Sequence, residues 1–242
     1  MSGGDEALNG DLRRSVVMDT EKMEWQPSPS GEVLRKRLHR VGGAESGQVT
    51  SLVRYPPGAS FPEHPHPEGE EIFVIEGVFS DQSGDAQAGC HLLNPEGFRH
   101  APYSDPGCVI FVKLRQYAGE GRPHRRTSTG QMAWETTEFE GVSRKTLLDE
   151  PSFSDVTTLE RWEPGAFPGI RHFDTGLEIF VLEGSISEGE REYRKGTWLR
   201  RPAGSDLDAH SKDGSVFYLK TGALPMLRSV DVDATGQIVQ AE

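Results

Sequence analysis

The chain has 242 residues, among them 28 glycines, 16 prolines and two cysteines, and a formal net charge of −12. No apolar run approaches the roughly 18 residues that cross a bilayer as a helix, and the acidic balance argues against a phosphate-backbone binder, which needs clustered Lys and Arg. Two cysteines without a CxxC pairing exclude a disulfide framework or a Cys-rich zinc module and fit a reducing compartment, so a cytoplasmic protein is expected.

Residues 1–22 carry mixed charge and no apolar stretch of signal-peptide type, and read as a flexible N-terminal arm. After Trp25, residues 32–39 (EVLRKRLH) could be mistaken for a helix, but the repeat described below places them before a strand. Short runs rich in Val, Ile, Phe and Tyr then recur between turn residues: EIFVIEG, CVIFVKL, EIFVLEG, SVFYLK. They predict short strands of a barrel or sandwich.

The first of these runs is preceded by a metal-ligand pattern, G58-ASFPE-H64-P-H66-PEG-E70-EIFVIE-G77. On a strand, residues i and i+2 share a face, so His64 and His66 look toward one point. Strand parity puts Glu70 on the same inner face as Ile72 and Val74, and sends Glu71, with Phe73 and Ile75, to the other side. A second pattern, G89-CHLLN-P95-E-G97-FR-H100, brings His100 from a separate hairpin. Three imidazoles and a carboxylate suit one divalent transition-metal ion; Fe, Mn, Ni and Zn all fit, and Cu is chemically admissible. Six-coordination would leave positions for water, dioxygen or a chelating substrate, whereas four-coordinate zinc would close the site. No catalytic base stands out: Glu68, Arg99 and Tyr103 read equally well as rim residues. His39, His91 and His124 read as structural or solvated, and Cys90 and Cys108 as small buried hydrophobes.

Residues 117–131 read as a linker, with Arg122, His124, Arg125 and Arg126 as a solvated basic cluster. Beyond it the pattern starts again at an offset of 107: Gly58 falls on Gly165, Gly77 on Gly184, Pro95 on Pro202, Lys113 on Lys220. Trp25 and Trp134 keep nearly the same distance, two positions out of step. Such a repeat predicts two similar all-β barrels. At that offset the four ligand positions become Arg171, Phe173, Leu177 and Leu207, which bind no divalent cation. A one-residue slip would offer His172, Asp174, Glu178 and Asp208 or His210, but reverses the face of every side chain.

The two motifs of the first copy are those of the cupin superfamily, and the words TSLVRYPPGASFPEHPHPEGEEIFVIEGVFSD and GCHLLNPEGFRHAPYSDPGCVIFVKLRQY resemble the cupin domain of ChrR-type anti-sigma factors and acetylacetone-dioxygenase-like cupins. The resemblance implies an all-β bicupin, two tandem double-stranded β-helix (jelly-roll) barrels: a metal-binding domain at 23–120, a degenerate one at 131–222 and a tail at 223–242. It carries the ligand roles onto His64, His66, Glu70 and His100. ChrR-type factors also bear a helical domain with a His-x3-Cys-x2-Cys motif; no cysteine precedes residue 90 here, so sigma-factor binding is not expected. The acetylacetone-cleaving relatives use three histidines, so Glu70 marks a departure. Two functions follow: a dioxygenase-like oxidoreductase acting on a small chelating molecule such as a diketone or enol, or a non-catalytic metal- or small-molecule-sensing cupin. The expected partner is a small-molecule ligand, with no nucleic acid or membrane, and apolar residues on both faces of EIFVIEG suggest that the outer face is covered, either by the other barrel or by the second subunit of a homodimer.

Overall fold

The computed structural model describes residues 7–28, 32–43 and 46–231, and the chain divides into two compact units. Both are built almost wholly of antiparallel strands. In the first, the large sheet runs Arg125–Ser128, Cys90–Asn94, Glu70–Asp81, Cys108–Leu114, Gln48–Tyr55, Leu34–Val41, Gln26–Pro27. In the second it runs Val16–Asp19, Thr197–Arg201, Leu177–Glu188, Ser215–Thr221, Val156–Trp162, Val142–Asp149, Glu135–Thr136. Position for position the order is the same. Each unit adds a two-stranded sheet, His64–His66 with Phe98–His100 in the first and Ile170–Phe173 with Ser205–Asp208 in the second.

Alternation along the strands fills each interior. Ile72 and Val74 meet Val53, Ile110, Val112 and Leu92 in the first core, and Ile179 and Val181 meet Trp162, Leu199, Phe217 and Leu219 in the second. Each fully buried side chain of this size contributes about 1.5–3 kcal/mol. Gly77 and Gly184 mark where the long strand bends: both have positive φ (73° and 64°), and a Cβ on either would lie 2.0 Å from the carbonyl oxygen of Gly107 or Gly214.

Three sequence expectations change. Residues 32–39 are not a lead-in: Leu34–Val41 is itself a strand, paired with Gln48–Tyr55. Its counterpart Val142–Asp149 matches it at an offset of 109, because the hairpin that follows is two residues longer in the first copy, which also explains the displaced tryptophans. Trp25 lies between Lys36 and Arg54, and Trp134 between Lys145 and Arg161.

The loose arm and the solvated linker are also replaced by structure. Val16–Asp19 is a strand of the second unit, in register with Thr197–Arg200, and a 3-10 turn at Thr20–Lys22 follows, its Thr20 hydroxyl donating to Gly196 O at 2.7 Å. Within the first unit, Leu8 bridges Arg40. Arg125–Ser128 is likewise a strand, paired with Cys90–Leu93, and Arg122 is buried, donating to Ala118 O and lying over the Tyr117 ring. Of the tail, Leu224–Met226 forms a 3-10 turn and Arg228 hydrogen-bonds Gln48; residues 1–6 of the arm and 232–242 of the tail lie outside the described residues.

Candidate metal centre

His64 and His66 share one short strand and His100 sits on its partner, with His64 directly opposite His100. Their ligand atoms all lie within 4.8 Å of one another, a group that could hold a metal ion. His66 Nε2 is 2.9 Å from His100 Nε2, so a proton or a cation must lie between the two lone-pair-bearing atoms. Glu70 Oε2 is 3.5 Å from His66 Nε2 and 3.6 Å from His100 Nε2. For metal–ligand bonds of about 2.1 Å, neighbouring donor atoms are separated by about 3.0 Å in an octahedron and about 3.4 Å in a tetrahedron. The spacings among His66, His100 and Glu70 lie close to these values, and the three histidines form the group that could hold a single ion, with Glu70 beside His66 and His100 but outside that group.

The surrounding bonds prepare the donors. Pro62 O accepts from His64 Nδ1 at 2.8 Å, and Asp81 Oδ2 from His100 Nδ1 at 3.2 Å, leaving Nε2 of each ring as the lone pair. Burial lowers the pKa of His64 and His66, with the other imidazoles adding to it, and keeps both in the neutral form that ligates. Asp81 is itself held by Arg126 and by the Ser83 N–H, each at 2.8 Å. Burial pushes its carboxyl up, but the hydrogen bonds from His100 and Ser83 and the Arg126 charge outweigh this, and its pKa is lowered. Asn94 Nδ2 donates to Glu70 Oε2 at 2.8 Å while its own Oδ1 is buried without a partner.

Strand parity works as expected. Glu71 faces the opposite side and accepts from buried His91 at 2.7 Å. His39 is buried between Asn9 O and Gln48, and His124 stacks on Phe98, whose ring flanks His100. Among the rim candidates, Glu68 pairs with Arg115 and Arg228, and Arg99 with Glu63. Cys108 is buried and its thiol is pushed up to about 11 by burial, whereas Cys90 is only half-buried. Sequence reasoning missed Asp81, Asn94 and Arg126. Asp81, in the SDQSG stretch, reads as a turn residue; only its hydrogen bonds reveal its part in the site.

A pocket of about 640 Å³, counting its open mouth, leads to the centre. His64 and Glu70 lie at its floor, Val33, Val49, Val53 and Leu114 form apolar walls, and Arg35 and Arg37 line it as well.

The second unit keeps the frame and replaces the chemistry. Arg171 stands opposite Leu207, as His64 stands opposite His100, which fixes the 107-residue register. Leu177 and Leu207 are buried in the core. Arg171 makes two bonds to Glu160, at 2.7 and 2.9 Å, and lies over the Phe173 ring, while Trp162 Nε1 also donates to Glu160. The slipped alternative fails: His172 is more than half exposed beside Asp174 and Asp206, and Glu178 is buried, accepting from Trp198.

Two barrels of this topology, one with a cluster of three histidines on facing hairpins, define a bicupin. The sequence profile of the ChrR cupin-like domain matches residues 13–118 and again 123–225, and the chain belongs to that family. No protein of curated function matches it in sequence. Similar solved structures include a Nostoc punctiforme protein provisionally described as a dioxygenase (TM-score 0.70, 18% identity, covering 95% of this chain and 88% of that one). A provisionally described glyoxylate-induced protein of Pseudomonas aeruginosa has TM-score 0.67 and 15% identity, covering 97% and 96%. A point mutant of Bacillus subtilis oxalate decarboxylase has TM-score 0.60 and 13% identity, covering 91% and 79%. At these identities the likeness establishes the fold. No helix among the described residues is long and apolar enough to cross a membrane.

Proposed function

We propose that the first unit is a metal-dependent oxidoreductase centre of dioxygenase type, with His64, His66, Glu70 and His100 as ligands, acting on a small organic molecule that chelates the ion through oxygen. The observation that carries this reading is the convergence of three imidazoles within 4.8 Å of one another, one of which, His64, lines a largely apolar pocket together with Glu70. A divalent ion, when bound, supplies Lewis acidity and, if redox-active, access to dioxygen chemistry. The chain's own contribution is to hold His64 and His66 neutral, to line the pocket largely with apolar side chains and to leave it open to a substrate. For a 1,3-diketone the overall reaction consumes one O2, breaks one carbon–carbon bond and places one oxygen atom in each of two products, a carboxylic acid and a 1,2-dicarbonyl.

A second reading, a sensing cupin without turnover, is favoured by the ChrR cupin-like family itself. Elemental analysis of anaerobically purified protein, beside His100→Ala, separates the two. About one equivalent of iron, manganese or nickel, lost in the variant, with O2 consumption on diketone or enol substrates, supports the enzyme. Tightly held zinc without turnover supports the sensor. No stoichiometric metal after reconstitution overturns both.

A further inference from the structure

The strand Gln48–Tyr55 sends Val49, Ser51, Val53 and Tyr55 to the pocket that His64 and Glu70 also line. Inward positions of a barrel strand usually carry hydrocarbon, yet two of these four end in a hydroxyl. Ser51 is 1% exposed, and its Oγ has no hydrogen-bond partner among the described residues. Across the ladder it faces Val112 on one side and Arg37 on the other, and neither bonds its hydroxyl.

Tyr55 is buried as well, and faces Cys108, whose thiol is engaged with Ser104. Its ring packs edge-on against Phe79 at 5.9 Å between centroids, and the Phe79 ring lies 6.1 Å from that of His100. What acts on the Tyr55 hydroxyl is burial first, then the nearby groups Glu70, Cys108 and Arg35, with no hydrogen bond among these influences. Burial raises its pKa, so the phenol keeps its proton and remains a donor. A hydroxyl buried without a partner forfeits the bonds it made to water in the unfolded chain, and a guest oxygen restores them. Four residues apart on one strand, Ser51 and Tyr55 have Cα atoms about 13 Å apart, so one guest atom does not serve both.

We propose, resting on the metal-site reading above, that Tyr55 and Ser51 select the substrate: a small chelating molecule whose chelating oxygen accepts from Tyr55 Oη, and which carries a further oxygen, remote from the chelating pair, bonded to Ser51 Oγ. Tyr55 takes the chelating end because Phe79 links its ring to His100 and the Glu70 charge acts on it. A diketone with bare alkyl ends leaves Ser51 orphaned, whereas a hydroxylated or oxo-substituted one satisfies both residues.

The test uses a matched pair of probes, kojic acid and 5-hydroxy-2-methyl-4-pyranone, which share the chelating hydroxy-ketone and differ by one hydroxyl across the ring. Binding to the full-length protein, loaded with zinc to prevent turnover, is measured by calorimetry after its zinc content has been determined. Kojic acid is expected to bind at least about tenfold more tightly than the methyl analogue. Ser51→Ala should erase that difference, and Tyr55→Phe should weaken both probes about tenfold while preserving it. Both variants should keep the wild-type zinc content and a urea midpoint no lower than wild type, since neither removes a hydrogen bond of the empty protein. A purely structural pair of hydroxyls would instead lower the midpoint and leave the affinities alone. Equal binding of the two probes to zinc-loaded wild type, or affinities unmoved in both variants, as when ordered water satisfies the hydroxyls, overturns the proposal with the metal site intact. Failure of the metal reading shows separately, as wild-type protein that takes up no stoichiometric zinc, and overturns this proposal with it.

Discussion

At the residue scale, the centre depends on side chains that would never touch an ion. His100 presents Nε2 because Asp81 holds its Nδ1 proton, and Asp81 is in turn fixed by Arg126 and the Ser83 N–H. Asp81→Asn keeps the shape but lets the amide present N–H where the ring needs an acceptor. Metal affinity should fall about 10–100-fold, measured by competition with a chromophoric chelator, while His91→Gln, on the outer side of the strand, should leave it within about threefold. Unchanged affinity in Asp81→Asn would show that His100 is oriented by packing alone. The ligand residues were legible in the sequence because their spacing ties strand parity to a hairpin return. Asp81, Asn94 and the pocket-lining Arg35 and Arg37 were not, since EVLRKRLH can be mistaken for a helix until the neighbouring strands show which way residues 35 and 37 face.

At the level of elements, the strand bend at Gly77 illustrates why glycine recurs at equivalent places in both copies. Gly58 and Gly77 both have positive φ, so alanine at either incurs the left-handed strain, about 1 kcal/mol. Only at Gly77 does the added Cβ collide, 2.0 Å from the Gly107 carbonyl oxygen, whereas nothing lies within 4 Å at Gly58. Gly77→Ala should therefore destabilise by about 2–4 kcal/mol, clearly more than Gly58→Ala, as read from urea midpoints of the two variants. Comparable midpoints would mean that the hairpin carrying Gly107 moves aside at little cost. The long strands were readable from their apolar alternation and bounding glycines. The short ones, Val16–Asp19 and Arg125–Ser128, were not: VVMD and RRTS have no alternating pattern, and their extended form is set by the hydrogen bonds of the sheet they join.

For the whole molecule, the repeat has a twist that the profile matches also reflect, since they begin at residues 13 and 123, ahead of both strands. The strand that opens the first copy belongs to the second unit, and the strand that opens the second copy belongs to the first. Arg126, which anchors Asp81, lies on the latter. A chain ending at residue 120 thus loses a sheet strand and the anchor of a ligand's partner, although all four proposed ligands remain. It should bind metal at least about tenfold more weakly than the full chain, or fail to fold, whereas a chain ending at 231 should match full-length protein in metal stoichiometry; equal affinity at 120 would show the strand to be dispensable.

The exchanged strands also impose an order on biosynthesis. Domains usually fold as units while the chain emerges from the ribosome. Here the first barrel cannot close its sheet until Arg125–Ser128 has been made, and Gln48 waits longer still for its Arg228 partner. The opening strand of the second barrel, by contrast, is made early and has no sheet to join until Thr197–Arg201 emerges. The first barrel is therefore unfinished when its own repeat has been translated, and the growing chain must carry the unpaired strand Val16–Asp19 until Thr197–Arg201 emerges.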